Sequence, residues 1–268
     1  LQSNKVTSKL KTGYLVGQML EDAEVIGGSS PNSIAINGQY AYVTNATNDN
    51  IAVIDYRKGR IERHIQIKVD PLLDKYRGLL PFGITISKDD SKLYVALLGF
   101  NAVAVVDTRT NATVGLIPTG WGPTRVKLSP DEKKMYIISC RGLGAGPNGG
   151  KNFKVPVQGS FVGDIQLATF QRLSVPDHQQ LQAYTNNVLA YTYEKVNPIK
   201  DDNPMPNYPG EKISPIKHIV YITKENRTYD EVMGQLKTGN GDSSIARFGL
   251  GVDVYVKLKL EKGSTLDS

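Results

Sequence analysis

Short runs in which apolar and polar residues alternate recur along the first half of the chain, and they fall into register. Ile34 and Ile36, Ile84 and Ile86, and Val126 and Leu128 are each separated by one polar or small residue. That is the period of a strand with one buried and one wet face. The runs Ile51 to Ile54 and Val103 to Val106 are apolar throughout, as strands covered on both faces are. Asp89-Asp90-Ser91 and Pro130-Asp131-Glu132 carry the residues of tight turns. Asp55 and Asp107 each end an apolar run, where a carboxylate can accept hydrogen bonds from the backbone of the turn that follows.

These runs make a repeat. Pro31 to Ile36, Pro81 to Ser87 and Pro123 to Asp131 each open a unit, and Tyr42, Tyr94 and Tyr136 stand 52 and 42 residues apart within it. The longer interval contains an insertion at about 67–80. A period near 40 residues with several short strands per unit is the signature of propeller blades. The expected fold class is all-β: a partial β-propeller followed by a short α/β C-terminal segment. Counting Tyr14 to Leu20 as the outer strand of a preceding blade raises the number of blades from three to four. Three or four blades do not close a ring by themselves when each needs a neighbour on both faces.

After Ser139 the pattern breaks at the glycine-rich stretch Gly142 to Gly150, and a strand is expected to resume at Gly159 to Ile165. Leu181, Tyr184, Val188 and Tyr191 then recur at helical spacing, with Asp177 placed to cap the helix. Five prolines between Asn197 and Pro215 mark a linker. The predicted organisation is blades over 1–175, helix and linker over 176–215, and a separate segment over 216–268. In that last segment Ile216 to Thr223 reads as an apolar strand, a short helix is expected from about Thr228, and 252–261 alternates strictly.

Composition narrows the function. Apolar residues are 40% of the chain and charged residues 22%, with a net charge of +6. The lysines are scattered, so no nucleic-acid partner is expected. No segment is long and apolar enough to span a membrane. The single cysteine, Cys140, follows Ile137, Ile138 and Ser139 and reads as a buried structural thiol. Of the three histidines, His64 and His178 read as surface residues and His218 as a strand residue.

Two resemblances add to this. Tyr42-Val43-Thr44-Asn45 resembles the signature of the bacterial YVTN-repeat propeller family, with relaxed copies at Tyr94 and Tyr136. Glu225-Asn226-Arg227-Thr228-Tyr229-Asp230, with Gly234 and Gly239 to Asp242, resembles the opening of a phosphoesterase family within the alkaline-phosphatase superfamily that includes phospholipases C and acid phosphatases. Glu225 and Asn226 offer oxygen ligands at the end of the expected strand. The resemblance implies that they hold one divalent metal ion, the only cofactor expected. The further Asp and His ligands and the Ser or Thr nucleophile of that superfamily have no counterpart here, so no catalytic residue is assigned. The expected function is a non-catalytic scaffold or binding module, periplasmic or extracellular and surface-layer-like. Its partners are other blades or subunits of the same or another chain. The alternative is part of a metal-dependent phosphoesterase. Export is expected from the family and from the missing initiator methionine.

Overall fold

The first two repeats fold into antiparallel sheets because their strands are joined by turns too short to do anything else. The computed structural model describes residues 6, 9–20, 23–25, 27–74, 77–142, 167–192, 204, 215–220, 227–238 and 241–246. They fall into two compact units, 1–197 and 198–268.

In the first unit, β1 (Met19–Leu20) and β2 (Ala23–Glu24) form a small hairpin, and three sheets follow. The first sheet is β3 (Pro31–Asn37), β4 (Tyr40–Asn45), β5 (Asn50–Asp55) and β6 (Arg60–Gln66), paired in that order. The second is β7 (Pro81–Ile86), β8 (Lys92–Leu97), β9 (Ala102–Asp107) and β10 (Ala112–Pro118). The third has three strands, β11 (Pro123–Leu128), β12 (Lys134–Ser139) and β13 (Thr169–Ser174). The first strands of successive sheets lie side by side, β3 against β7 and β7 against β11. This is the arrangement of propeller blades around an axis, so the chain is a partial β-propeller. Among the described residues there are two complete blades and three strands of a third. Tyr14 to Leu20 does not form the outer strand of a further blade. Only Met19 and Leu20 are in a strand, paired within the hairpin.

Equivalent residues do equivalent work in each blade. The register of the first strand pair shifts just after Pro31, Pro81 and Pro123, where proline has no N–H to give the ladder. The residue before each proline is left-handed: Ser30, Leu80 and Gly122 have φ of 47°, 51° and 63°. Asp55 accepts from the backbone N–H of Arg57 and Lys58 at 3.1 and 2.9 Å. Asp107 accepts likewise from Arg109 and Thr110 at 2.9 and 2.8 Å. Asp89 and Asp131 close the other turns, each accepting from a serine hydroxyl and a backbone N–H.

The core lies between blades. Tyr42, Ile51, Val53 and Ile65 of the first blade pack on Ile84, Leu93, Val95 and Ala104 of the second. The other face of the second blade, Tyr94, Val103, Val105 and Ile117, packs on Val126, Met135 and Ile137 of the third. Each buried face of this kind contributes roughly 25 cal/mol for every square ångström of apolar surface removed from water. At the inner strands Gly83 is obligatory, because a Cβ there would sit 2.4 Å from the carbonyl oxygen of Thr124.

Helix α1 (His178–Thr192) starts where Asp177 accepts from the N–H of Gln180 at 2.8 Å. It packs along β10. Leu181 and Val188 are buried, Tyr184 is half-buried and Tyr191 is exposed. Cys140 is half-buried rather than buried, because it has left β12 and entered the turn beyond it. The expected strand at 159–165 lies outside the described residues.

The second unit contains α2 (Tyr229–Met233), capped reciprocally by Thr228 and Glu231. The carboxylate of Asp230 accepts from the N–H of Asp242 at 2.6 Å, and Asp242 caps the 3₁₀ turn Ser243–Ile245. The strand expected at 216–223 is not formed over its described part, 216–220, which has no strand and is exposed throughout. Ile219 and Val220 are each 85% exposed. An apolar run makes a strand only when another strand pairs with it, and among the described residues 216–220 belong to no strand pair. His218 is accordingly an exposed residue of irregular backbone and not a strand residue. The alternating stretch 252–261 lies outside the described residues.

Candidate functional site

Antiparallel connection puts the loops joining second to third strands, 46–49 and 98–101, at one end of the blades. The entries into the next blade, 67–80 and 119–122, lie at that same end. The polar chemistry of the repeat is concentrated there. Thr44, Asn45, Asn48, Asp49 and Asn50 are all buried, an unusual density for polar residues.

The signature at 42–45 is explained by what its side chains touch. Tyr42 faces the second blade and Val43 the opposite side. Thr44 donates its hydroxyl to the carbonyl of Phe82 at 2.7 Å, tying the first blade to the inner strand of the second. Asn45 donates to Asn50 at 2.9 Å and to the carbonyl of Thr12 at 2.6 Å. Asn48 accepts from the N–H of Tyr14 at 2.9 Å. His64 is no ordinary surface residue: it is half-buried, its Nε2 is 2.9 Å from the carbonyl of Thr12, and its ring lies 5.2 Å from that of Tyr14. Residues 12–14 are thus strapped across the end of the first blade.

Asp49 anchors the insertion. Its two carboxylate oxygens accept from the N–H groups of Gly78, Leu79 and Leu80 at 2.7, 3.1 and 3.0 Å. Burial pushes this carboxyl above the ordinary carboxylate range, against the pull of those three donors and of the Arg77 guanidinium. Asn101 occupies the same place in the second blade and accepts from the N–H of Gly122 at 2.9 Å. Both residues are left-handed, with φ of 51° and 54°. The sequence reading missed these two latches, although a signal was present: each lies six residues before the aspartate that ends the third strand.

The insertion that Asp49 holds encloses a cavity of about 190 Å³. Ile67, Val69, Leu73, Leu79 and Phe100 give it an apolar floor, with Lys68 and Asp74 paired at 3.7 Å on its rim. The volume suits a small molecule or a few waters rather than a large cofactor.

The other predicted positions are dispersed. Glu225 and Asn226, the expected metal ligands, lie outside the described residues. The adjoining Arg227 pairs with Glu231 at 3.7 Å. Among the described residues no three His, Cys, Asp or Glu side chains gather as a metal site requires, and no helix is long and apolar enough to cross a membrane. His178 is exposed at the start of α1.

No protein-family model matches the chain. A protein of Mycobacterium tuberculosis named as a seven-bladed β-propeller is 30% identical over 143 residues, 53% of this chain. The chain spans about a third, 35%, of the length of that relative. Among solved structures, hydrazine synthase of Kuenenia stuttgartiensis is similar at 22% identity and a TM-score of 0.37, covering 48% of this chain and 33% of its own. A gluconolactonase of Xanthomonas campestris is similar at 19% identity and a TM-score of 0.33, covering 42% of this chain and 36% of its own.

Proposed function

We propose that this chain is a binding and scaffold module, a section of a propeller whose terminal faces are completed by further blades of the same or another polypeptide. The observation that carries this reading is a difference in exposure at one repeat position. Ile84 and Val126 are 3% and 1% exposed under the blade before them, whereas Ile34, their counterpart in the first blade, is 56% exposed. At the other end of the stack Ile138 and Phe170 are exposed on the outer face of the third blade. Apolar faces left open at both ends of a repeat stack are covered by neighbours in a closed propeller.

In this reading the polar end of the blades is structural, because Asn48, Asp49 and Asn101 accept from backbone N–H groups and Asn45 donates to the carbonyl of Thr12. The module lies in the periplasm or outside the cell, like the propellers of the family its Tyr42 to Asn45 signature resembles, and its work is to hold a partner. The experiment that tests the reading is hydrolysis of a chromogenic phosphate monoester with divalent metal added. The module reading expects no turnover at any metal concentration. Turnover that is abolished by Glu225→Ala overturns it in favour of a metal-dependent phosphoesterase.

A further inference from the structure

The first two blades each end in a fourth strand, β6 and β10, and among the described residues the third does not. At the end of their third strands stand Asp55 and Asp107, whose carboxylates gather the backbone of a tight turn and send the chain back along the sheet. The equivalent residue in the third blade is Ser174, opposite Lys134 as Asp107 is opposite Lys92. Pro176, two residues on, has no N–H to offer a turn. Asp177 instead caps α1, and the helix is held on the second blade, where Leu116 donates to the hydroxyl of Thr185 at 2.9 Å. Leu181 fills the space over Gly115. Among the described residues the place of the fourth strand is thus left open, and every second residue of β13 turns its N–H and C=O away from β12.

The face beside this edge has a definite chemistry. Tyr136 and Phe170 stack with centroids 5.9 Å apart. Ile138 lies opposite Phe170, and Arg172 opposite Tyr136. Lys127 pairs with Tyr136 from the other side, and Lys134 donates to Ser174 at 2.9 Å. The face of the three strands is aromatic and cationic, and none of its positions is acidic.

We propose that the open edge of β13 takes up an extended strand from a partner polypeptide, with acidic residues alternating with apolar ones. Main-chain hydrogen bonds to β13 give such a strand its affinity, and alternate side chains give it specificity. The acidic positions lie on the face of Phe170, Arg172 and Lys134, and the apolar ones on the opposite face, beside Leu173. The inference rests on the binding-module reading and deepens it.

The test uses the whole 268-residue chain and a labelled synthetic peptide alternating valine and glutamate, followed by fluorescence anisotropy. Saturable binding is expected, about tenfold tighter than for the valine–lysine counterpart. Methylating alternate backbone nitrogens of the peptide should abolish binding, and Arg172→Glu should invert the charge preference. Phe170→Ser, an exposed position, should weaken both peptides while leaving the melting temperature unchanged. Equal binding of the methylated peptide overturns the proposal, as does a charge preference that Arg172→Glu leaves in place. Displacement of the peptide by a single-stranded oligonucleotide also overturns it, since the basic and aromatic face would then serve a nucleic acid. If no peptide binds while the chain still associates through its Ile34 face, the strand proposal falls and the module reading stands.

Discussion

The second and third blades are built from the same repeat, yet only the second is finished. It has four strands, a neighbour on each face and a helix across its outer strand. Among the described residues the third has three strands and one covered face. Its Ile137 is fully buried against the second blade, while the adjacent Ile138 is exposed. Sequence quality within the strand does not explain the contrast, since both residues are isoleucine. In a stack of blades the stability of a residue is set by the neighbour it faces, so an unfinished blade is also an available one.

That contrast can be broken or sharpened by substitution. The largest effect is expected at Asp49→Ala, which removes a buried side chain and strips the N–H groups of Gly78, Leu79 and Leu80 of their acceptor. Urea unfolding should show a loss of about 4 kcal/mol, against about 1 kcal/mol for Asn101→Ala, which frees one. Ile84→Ala should cost about 3 kcal/mol, whereas Ile34→Ala at the equivalent open position should cost about 0.5 kcal/mol. Equal losses would contradict the difference in cover. Gly115→Ala puts a Cβ 2.4 Å from Cγ of Leu181, and lifting α1 off β10 should cost about 2 kcal/mol. Its loss of helix packing is measurable as faster proteolysis within 178–192.

A smaller effect concerns acid. Donation from the backbone N–H of Lys58, then from the side-chain amide of Gln39, holds the Asp55 carboxyl at about 2, below its ordinary 3.8. A depressed carboxylate stabilises the fold above its unfolded value, and that contribution is lost as pH falls through about 2. Asp55→Asn should therefore flatten the decline in melting temperature between about pH 4 and pH 2. Ser174, the counterpart in the third blade, supplies no such limb.

The blades were legible because alternation, turn residues and a period near 40 residues all point the same way. The strand-ending role of Asp55 and Asp107 was legible too, since a carboxylate at a strand end has few other uses. The short helix expected from about Thr228 is formed, and the structure shows its start held by Thr228 and Glu231. What sequence hid were relations between distant parts. Nothing local in Asp49 announces that it holds Gly78 to Leu80, and nothing near His64 names Thr12 and Tyr14 as its partners. The apolar run at 216–223 illustrates the opposite error. Its composition fits a strand, but among the described residues 216–220 belong to no strand pair.

The central claim is that the open faces at Ile34 and Phe170 are made to be covered. The most direct test is the native mass of the chain by sedimentation over a wide concentration range. The account predicts association above 29.4 kDa, weakened by Ile34→Ser together with Phe170→Ser. A particle that stays at 29.4 kDa at every concentration, and is unaffected by those substitutions, would contradict it.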